Sequence, residues 1–375
     1  MRKIIKLAAP PRGFFDSKRT RLYCRPIDLI YNTKDDQYNL DCFNQSLVGG
    51  DMSFTDIEII LRDESNIYAF RTSIETAREW GLAEGCSETI DKLMLNIAGR
   101  RAGILSLRND NTPLLMGVVN ASPDSFYDGD ASLGRQSVIA RAHSLIEEGA
   151  DIIDIGGEST RPGSKPISVS EEIDRVISVI ENVRGFGVPI SIDTSKSSVM
   201  QAALAAGASI INDISALTGD PKSLNIAVKS RVPVILMHMR GTPLTMQKNP
   251  EYDNPLLDVY DYLQWRVSLC TKAGILPENL IVDPGIGFGK NDEQNLSILR
   301  RVSLFHSLGL PVLLGVSRKS LIGNLSGGEP ADKRLPGSLA TALFAAAEGI
   351  QFLRVHDVSE TKQALRIKQV LTDTF

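Results

Sequence analysis

From Pro113 onward the chain repeats one pattern eight times: a short apolar run, a polar or glycine-rich loop, then a stretch with helical periodicity. The runs are Leu114 to Val119, Asp151 to Ile155, Pro189 to Ile192, Ser209 to Ile214, Pro233 to Met237, Leu280 to Val282, Pro311 to Val316 and Phe352 to Val355. Each is too short for a core helix. Most are rich in Val, Ile and Leu, as strands buried on both faces of a parallel sheet are. Eight strand-helix units over residues 113–375 predict an α/β fold, a (β/α)8 TIM barrel. A doubly wound open sheet is the second architecture that the pattern allows.

The intervals read as helices. Val138, Ala142, Leu145 and Ile146 recur at helical spacing up to Gly149. Ser168 with Glu171 has the spacing of a capping box ahead of Ile173, Val176, Ile177 and Ile180. Ser195 to Ala206, Pro255 to Ala273, Glu293 to Leu308, Pro336 to Ala347 and Ser359 to Leu371 complete the set.

Residues 1–112 break the pattern. Phe54 to Leu61 and Asn66 to Phe70 read as strands, and Ile90, Leu93, Met94 and Ile97 form a helical stripe closed by Gly99. This predicts a small α/β N-terminal extension with no constellation assignable to chemistry, and hence a packing or interaction role. The first 26 residues carry eight Lys or Arg against Asp16 alone, a weak likeness to an organelle transit peptide.

A net charge of −4 with 42% hydrophobic residues fits a globular protein and suggests neither a nucleic-acid nor a membrane partner. Cys24, Cys42, Cys86 and Cys270 include no CxxC pair, so a reducing, cytoplasmic setting is expected.

A (β/α)8 barrel builds its active site at the carboxyl ends of its strands. Here those ends carry Asn120, then Glu158 to Arg161 after Asp154, Asp193, Asn212 with Asp213, His238, Asp283, Ser317 to Lys319, and Arg354, His356 and Asp357. Helix capping explains an occasional Asp or Asn at such positions, but not every end, and not three that bear Arg or Lys. Thr160, Arg161, Arg318, Lys319, Arg354 and His356 make a cationic, hydroxyl-bearing set suited to phosphate oxygens. Asp193, Asn212 and Asp283 make an acceptor set suited to the N–H donors of a flat heterocycle. The implied ligand joins a nitrogen heterocycle to a phosphate or diphosphate.

Asp283-Pro284-Gly285-Ile286-Gly287-Phe288-Gly289-Lys290 has neither Walker nor Rossmann spacing, so its glycines fit a close approach of backbone to ligand instead. His238 fits a hydrogen-bonded core histidine. His143 and His306 fall within helical stretches. No His or Cys pair has zinc-site spacing, whereas a magnesium ion held through phosphate oxygens is compatible.

Taken in order, these segments closely resemble the dihydropteroate synthase family. Met116 to Phe126, with Asn120-Ala121-Ser122-Pro123-Asp124-Ser125-Phe126, is similar to its first loop, and Asp154-Ile155-Gly156-Gly157-Glu158-Ser159-Thr160-Arg161-Pro162-Gly163 to its second. Ser191 to Thr194, Ile211 to Asp213, Leu236 to Met239, Asp283 to Lys290, Ser317 to Lys319 and Arg354 to Asp357 continue the resemblance.

The resemblance implies condensation of a dihydropterin methyl diphosphate with 4-aminobenzoate in folate biosynthesis. It assigns Asp193, Asn212, Asp283 and Lys319 to the pterin, with Phe288 nearby. Thr160, Arg161, Arg354 and His356 go to the diphosphate, and Asn120 to magnesium. Ser122, Pro123, Phe126 and Pro162 contribute to the aminobenzoate pocket. Arg161, Asp193, Lys319, Arg354 and His356 are thereby the expected catalytic set. A homodimer and sulfonamide sensitivity are also implied. The first loop departs from the family pattern, with Ala121 and Ser122 for Val and Thr, and Tyr127 and Asp130 for Ser and Gly. Two other functions remain open: a methyltransferase presenting methyltetrahydrofolate to a corrinoid protein, and a noncatalytic pterin-binding barrel. The full Glu-Ser-Thr-Arg-Pro-Gly loop and Ser-Arg-Lys segment count against the first, since a methyl donor has no diphosphate to hold.

Overall fold

The computed structural model describes residues 1–31, 45–101, 104, 112–121 and 131–372. In the first part of the chain lie β1 (Ile4–Lys6), β2 (Arg21–Ile27), β3 (Ile30–Tyr31), β4 (Gln45–Ser46), β5 (Met52–Phe54), β6 (Asp56–Arg62) and β7 (Ile67–Ser73). Two helices follow, α1 (Ile74–Glu84) and α2 (Ser87–Ala98). The main sheet runs β1-β7-β6-β2, and β3-β5-β4 form a small second one.

Strand alternation divides the main sheet between two neighbours. Ile57, Ile59 and Leu61 point to one side, into a core with Ala77, Trp80, Ile90, Leu93 and Ile97 of the helices. Tyr23 and Ile60 point to the other and join the core of the rest of the molecule. Ser73 caps α1 through its side chain, and Gly85 ends that helix at φ 70°. The basic residues near the start have folding partners: Arg2 pairs with Asp253, Arg21 with Asp261 and Arg25 with Glu58.

The second part is the barrel. Its strands are β8 (Leu114–Asn120), β9 (Ile152–Gly156), β10 (Ile190–Asp193), β11 (Ile210–Asp213), β12 (Val234–Met237), β13 (Leu280–Asp283), β14 (Leu313–Leu314) and β15 (Phe352–Val355). All pair in parallel in the order β13-β12-β11-β10-β9-β8-β15-β14, and a bridge from Val282 to Val312 closes the ring. The (β/α)8 barrel expected from the repeat is therefore present. Around it stand α3 (Ala131–Glu147), α4 (Val169–Val183), α5 (Ser197–Ala206), α6 (Ser223–Ser230), α7 (Pro255–Lys272), α8 (Asp292–Leu299), α9 (Ser320–Leu325), α10 (Leu335–Ala347) and α11 (Val358–Thr372).

In the barrel, four elements differ from the reading of the sequence. The run Pro311 to Val316 yields only the two-residue β14, because Pro311 has no N–H and the Val312 N–H goes to Gln351 Oε1 at 2.8 Å. The stretch Glu293 to Leu308 is not one helix: α8 stops at Leu299 and a 3-10 helix spans Val302–Leu308. Val302 to Ser307 are all buried, between barrel and amino-terminal sheet, so no single polar face survives. Ser168 caps α4, but Glu171 bonds Arg175 Nη2 at 2.5 Å instead of closing the box. Helix α6, only eight residues between Pro221 and Pro233, gave too short a periodic signal to register.

Candidate active site

Alternation along the strands decides which side chains enter the barrel. Ile152, Ile210, Ile281 and Phe352 belong to one buried apolar cluster, with Ile104 closing it. Two residues further along the same strands, on the same face, stand Asp154, Asn212, Asp283 and Arg354. An apolar floor thus carries a charged ring.

Arg354 organises that ring. Its Nε donates to Asp154 Oδ2 at 2.6 Å and its Nη2 to Asp193 Oδ2 at 2.8 Å. Asn212 Nδ2 donates to both oxygens of Asp154, at 3.3 and 3.2 Å. Gly156 lies beside Asp193 in the ladder, where a Cβ would come within 3.4 Å of the Asp193 Cβ. Burial pushes the Asp193 carboxyl up to about 7, against the pull of Arg354 and with the help of Asp154, Glu172 and Asp213. Its Oδ1 has no hydrogen-bond partner among the described residues.

Lys319 joins the ring near Asp283, whose charge acts on it. Lys319 Nζ donates to the Ile286 carbonyl and sits 4.7 Å from the centre of the Phe288 ring. Burial lowers its ammonium to about 8, although Asp283 opposes the shift. Asp283 Oδ1 accepts the Gly285 N–H at 2.7 Å. The glycine loop has Gly285, Gly287 and Gly289 at φ 66°, 84° and 63°, and buried Lys290 ties its carbonyls, with Nζ 2.7 Å from Gly285 O and 3.0 Å from Phe288 O.

The segment Glu158 to Gly163 is anchored at its base and open at its tip. Glu158 Oε2 accepts from Ile167 N at 3.0 Å and from Lys196 Nζ at 2.5 Å. Lys196 also donates to Ile167 O at 2.8 Å and to Glu172 at 2.6 Å, and Glu172 accepts from Thr194 Oγ1 at 2.6 Å. Thr160 is half-buried, whereas Arg161 and Pro162 are exposed. Arg161 is close enough for its charge to act on His356.

The last strand is followed by His356, whose Nδ1 lies 3.0 Å from Ser317 Oγ. Burial, then Arg354 and Arg318, lower its imidazole to about 4, so His356 is neutral near pH 7 and leaves the cationic set. Arg318 also departs from that set: its guanidinium is paired with Asp357 through Nε at 3.0 Å and through Nη2. Asn120 and His356 share a cavity of about 740 Å³ with Ser137, Arg141, Arg318 and Asp357. Asp193, Asn212, Asp283 and Lys319 do not line it.

His238 is a core residue. Its ring meets Tyr262 edge-on at 4.9 Å, and burial holds it well below its usual range. Asp213 is a turn cap, accepting the Ser215 and Leu217 N–H groups at 2.7 and 3.0 Å. Ser122, Pro123, Phe126, Tyr127 and Asp130 lie outside the described residues.

A family model described as pterin binding enzyme matches residues 116–356, which include Asn120, Asp154, Arg161, Asp193, Asn212, Asp283, Lys319, Arg354 and His356. The chain belongs to this pterin binding family. Dihydropteroate synthase of Escherichia coli (strain K12) is 47% identical over 256 residues, 68% of this chain and 90% of that protein. The Haemophilus influenzae enzyme of the same name is 46% identical over 260 residues, 69% of this chain and 94% of its own length. Among solved structures, dihydropteroate synthase of Xanthomonas albilineans with 4-aminobenzoic acid superposes with a TM-score of 0.67 at 44% identity, covering 70% of this chain and 94% of that one. The same enzyme in complex with 7,8-dihydropteroate gives 0.64 at 42% identity, with 70% and 95% covered.

For a pterin binding family member, three groups went unassigned in the sequence: Asp154, Lys196 and Lys290. Asp154 stands two residues before Gly156 on one strand face, a signal that period-two reading would have found. Lys196 acts through partners 24 to 38 residues away, so nothing local marks it, whereas Lys290 folds back on the carbonyls of its own glycine loop.

Proposed function

We propose that the chain condenses (7,8-dihydropterin-6-yl)methyl diphosphate with 4-aminobenzoate, giving 7,8-dihydropteroate and diphosphate. The observation that carries this reading is the buried, half-satisfied Asp193 carboxylate within a ring of Arg354, Asn212, Asp283 and Lys319. Such a ring suits a flat heterocycle with several N–H donors. In the reaction the methylene C–O bond breaks, a C–N bond to the amine forms, and the amine loses a proton. Asp193, Asn212 and Asp283 accept from the pterin, and Lys319 closes its remaining edge above Phe288. As positive charge develops on the ring and methylene, ionised Asp193 favours it.

Arg161, with Thr160, meets the departing diphosphate, and Arg354 adds charge from the ring beneath. Neutral His356 offers a hydrogen bond to it, not a charge. Pro162, Ser122, Pro123 and Phe126 shape the aminobenzoate pocket. No group of three or more His, Cys, Asp or Glu with metal-holding geometry exists among the described residues. The Asn120 side-chain oxygen is a donor suited to a hard magnesium ion that arrives with the diphosphate oxygens. That ion would neutralise charge on the leaving group. Among the described residues no helix is long and apolar enough to cross a membrane. Exposed Phe344 on α10 and Ile367, Val370 and Leu371 on α11 support self-association as a homodimer, and Cys24, Cys86 and Cys270, buried and free among the described residues, support a reducing, cytoplasmic setting.

The test is diphosphate release with magnesium, the pterin diphosphate and 4-aminobenzoate. Turnover requiring the amine, and crippled in Arg161→Ala, is expected. An inactive wild type that binds the pterin tightly would leave the noncatalytic reading instead.

A further inference from the structure

We propose that the amino-terminal sheet is a brace in cis on the flank of the barrel that grips the start of α7, with Arg62 and Arg2 as positioning residues for the pterin and diphosphate loops. This rests on the function proposed above and assigns a job to the part of the chain outside the family match.

The barrel-facing stripe of the sheet meets three carboxylates at the start of α7. Arg62 Nη2 donates to Asp253 Oδ2 at 2.6 Å and to Asp258 Oδ1 at 2.7 Å, and its Nη1 to Asp261 Oδ2 at 3.3 Å. Arg2 donates to Asp253 through Nε at 2.8 Å and Nη2 at 2.6 Å, and the Tyr23 hydroxyl to Asp261 at 3.0 Å. A helix amino terminus favours one carboxylate, but three crowded together repel unless cations sit between them. The Arg62 side chain is 16% exposed, so water screens these pairs weakly. The backbone of Asp253 is held too: its carbonyl accepts the Arg2 N–H at 2.6 Å and its N–H reaches Asp258 Oδ2 at 2.9 Å.

What is gripped at Asp253 is the end of the β12–α7 connection, and that connection touches both ligand loops. Tyr252, next in the chain, donates its hydroxyl to Gly289 O at 2.7 Å, and Gln247 Nε2 donates to Gly287 O at 2.9 Å. Gly287 backs Lys319, since a Cβ there would come within 3.3 Å of the lysine Cδ. At the other end Pro243 O accepts the Gly163 N–H at 2.9 Å. A continuous path therefore runs from Arg62 through Asp253 and Tyr252 to the loop carrying Phe288, and along the same segment to the loop carrying Arg161. Loosening the grip frees two ligand loops without altering any group proposed to touch substrate.

The experiment compares full-length wild type, Arg62→Met, Tyr252→Phe and the double variant, reading kcat, both KM values and the pterin diphosphate Kd by calorimetry. Each single change is expected to raise the KM and Kd for the pterin diphosphate by about threefold to tenfold, with kcat little changed. The double variant is expected to be no worse than the worse single one, because the two residues act along one path. Arg62→Lys should recover part of the loss. Unchanged KM and Kd in Arg62→Met, or effects that multiply in the double variant, overturn the brace. A fall in kcat alone, matching a smaller folded fraction by circular dichroism, also overturns it. If Arg62→Met does not fold, Arg2→Met and Tyr252→Phe run the same cycle. A wild type that binds but does not turn over sinks the proposed reaction, leaving the brace to be judged on Kd; one that does not bind overturns both.

Discussion

Arg354 satisfies one oxygen of Asp193, at 2.8 Å, while the other oxygen of the same buried carboxylate has no hydrogen-bond partner among the described residues. An unmet acceptor in a low-dielectric site is costly, so a ligand N–H that meets it is strongly favoured. Asp193→Asn turns this acceptor into an amide and removes the charge facing Arg354. Pterin diphosphate affinity is expected to fall by about 1.5–3 kcal/mol, roughly tenfold to a hundredfold, the range for hydrogen bonds to charged groups. Calorimetry measures it, and wild-type affinity in the variant would show that the pterin sits elsewhere.

The same groups set a pH profile. Asp193 is pushed up to about 7 by burial, and Lys319 down to about 8 by burial. The proposed pterin binding would use the first ionised and the second protonated. A narrow bell in kcat/KM is expected, rising through about pH 7 and falling beyond about pH 8. Asp193→Asn should lose the acid limb, and Lys319→Arg the basic one.

Stability follows a different sign. Between 3.8 and about 7 the native Asp193 holds a proton that the unfolded chain has lost, so its contribution falls as pH rises. His356 does the reverse: lowered to about 4, it stays neutral while the unfolded imidazole is protonated below 6.5, so its contribution is lost as pH falls from 6.5 toward 4. The two oppose each other in that window. His356→Asn should therefore leave Asp193 uncompensated, and its melting temperature should fall more steeply than that of wild type between pH 4.5 and 6.5, about the span of the overlap.

Lys196 closes the neck of the segment that carries Thr160 and Arg161, bonding Glu158, Glu172 and the Ile167 carbonyl at once. Lys196→Met leaves Glu158 and buried Glu172 facing each other without their shared cation, and an uncompensated buried carboxylate is destabilising. The loop is expected to lose its fixed geometry. Affinity for the pterin diphosphate should fall well below that of wild type, while affinity for the corresponding hydroxymethyl pterin, which lacks the diphosphate, stays close to it. Equal losses for both ligands would remove this specific role.

Much of this was legible because strand ends in a parallel barrel gather at one mouth, so Asp193, Asn212, Asp283, Lys319 and Arg354 could be grouped from runs of apolar residues alone. What escaped depends on contacts far apart in sequence. Neither the neutral state of His356 nor the pairing of Arg318 with Asp357 follows from residue type, since burial and neighbouring charge decide both. Periodicity misread Glu293 to Leu308 because the amino-terminal sheet buries the face that would have been polar. Strand β2 was hidden by its basic residues Arg21 and Arg25, which pair with Asp261 in the barrel and with Glu58 on β6.

Two glycines in the loops of the proposed site separate conformational need from steric need. Gly285 sits at φ 66°, and a Cβ there would lie 2.0 Å from the His238 carbonyl oxygen, a backbone atom that cannot swing away. Gly163 has a similar φ of 83° but meets nothing within 4 Å. Both pay for a left-handed residue when changed to Ala, about 1 kcal/mol. Only Gly285→Ala must also push apart the β12 end and the glycine loop, and with them Asp283, whose Oδ1 accepts the Gly285 N–H. Gly285→Ala is therefore expected to lower the melting temperature by several degrees more than Gly163→Ala and to abolish pterin binding. Gly163→Ala should keep pterin binding, and its N–H can still reach the Pro243 carbonyl. Equal melting temperatures for the two variants would mean that the loop relaxes around the added methyl, and that tight backbone contact is not what fixes Asp283.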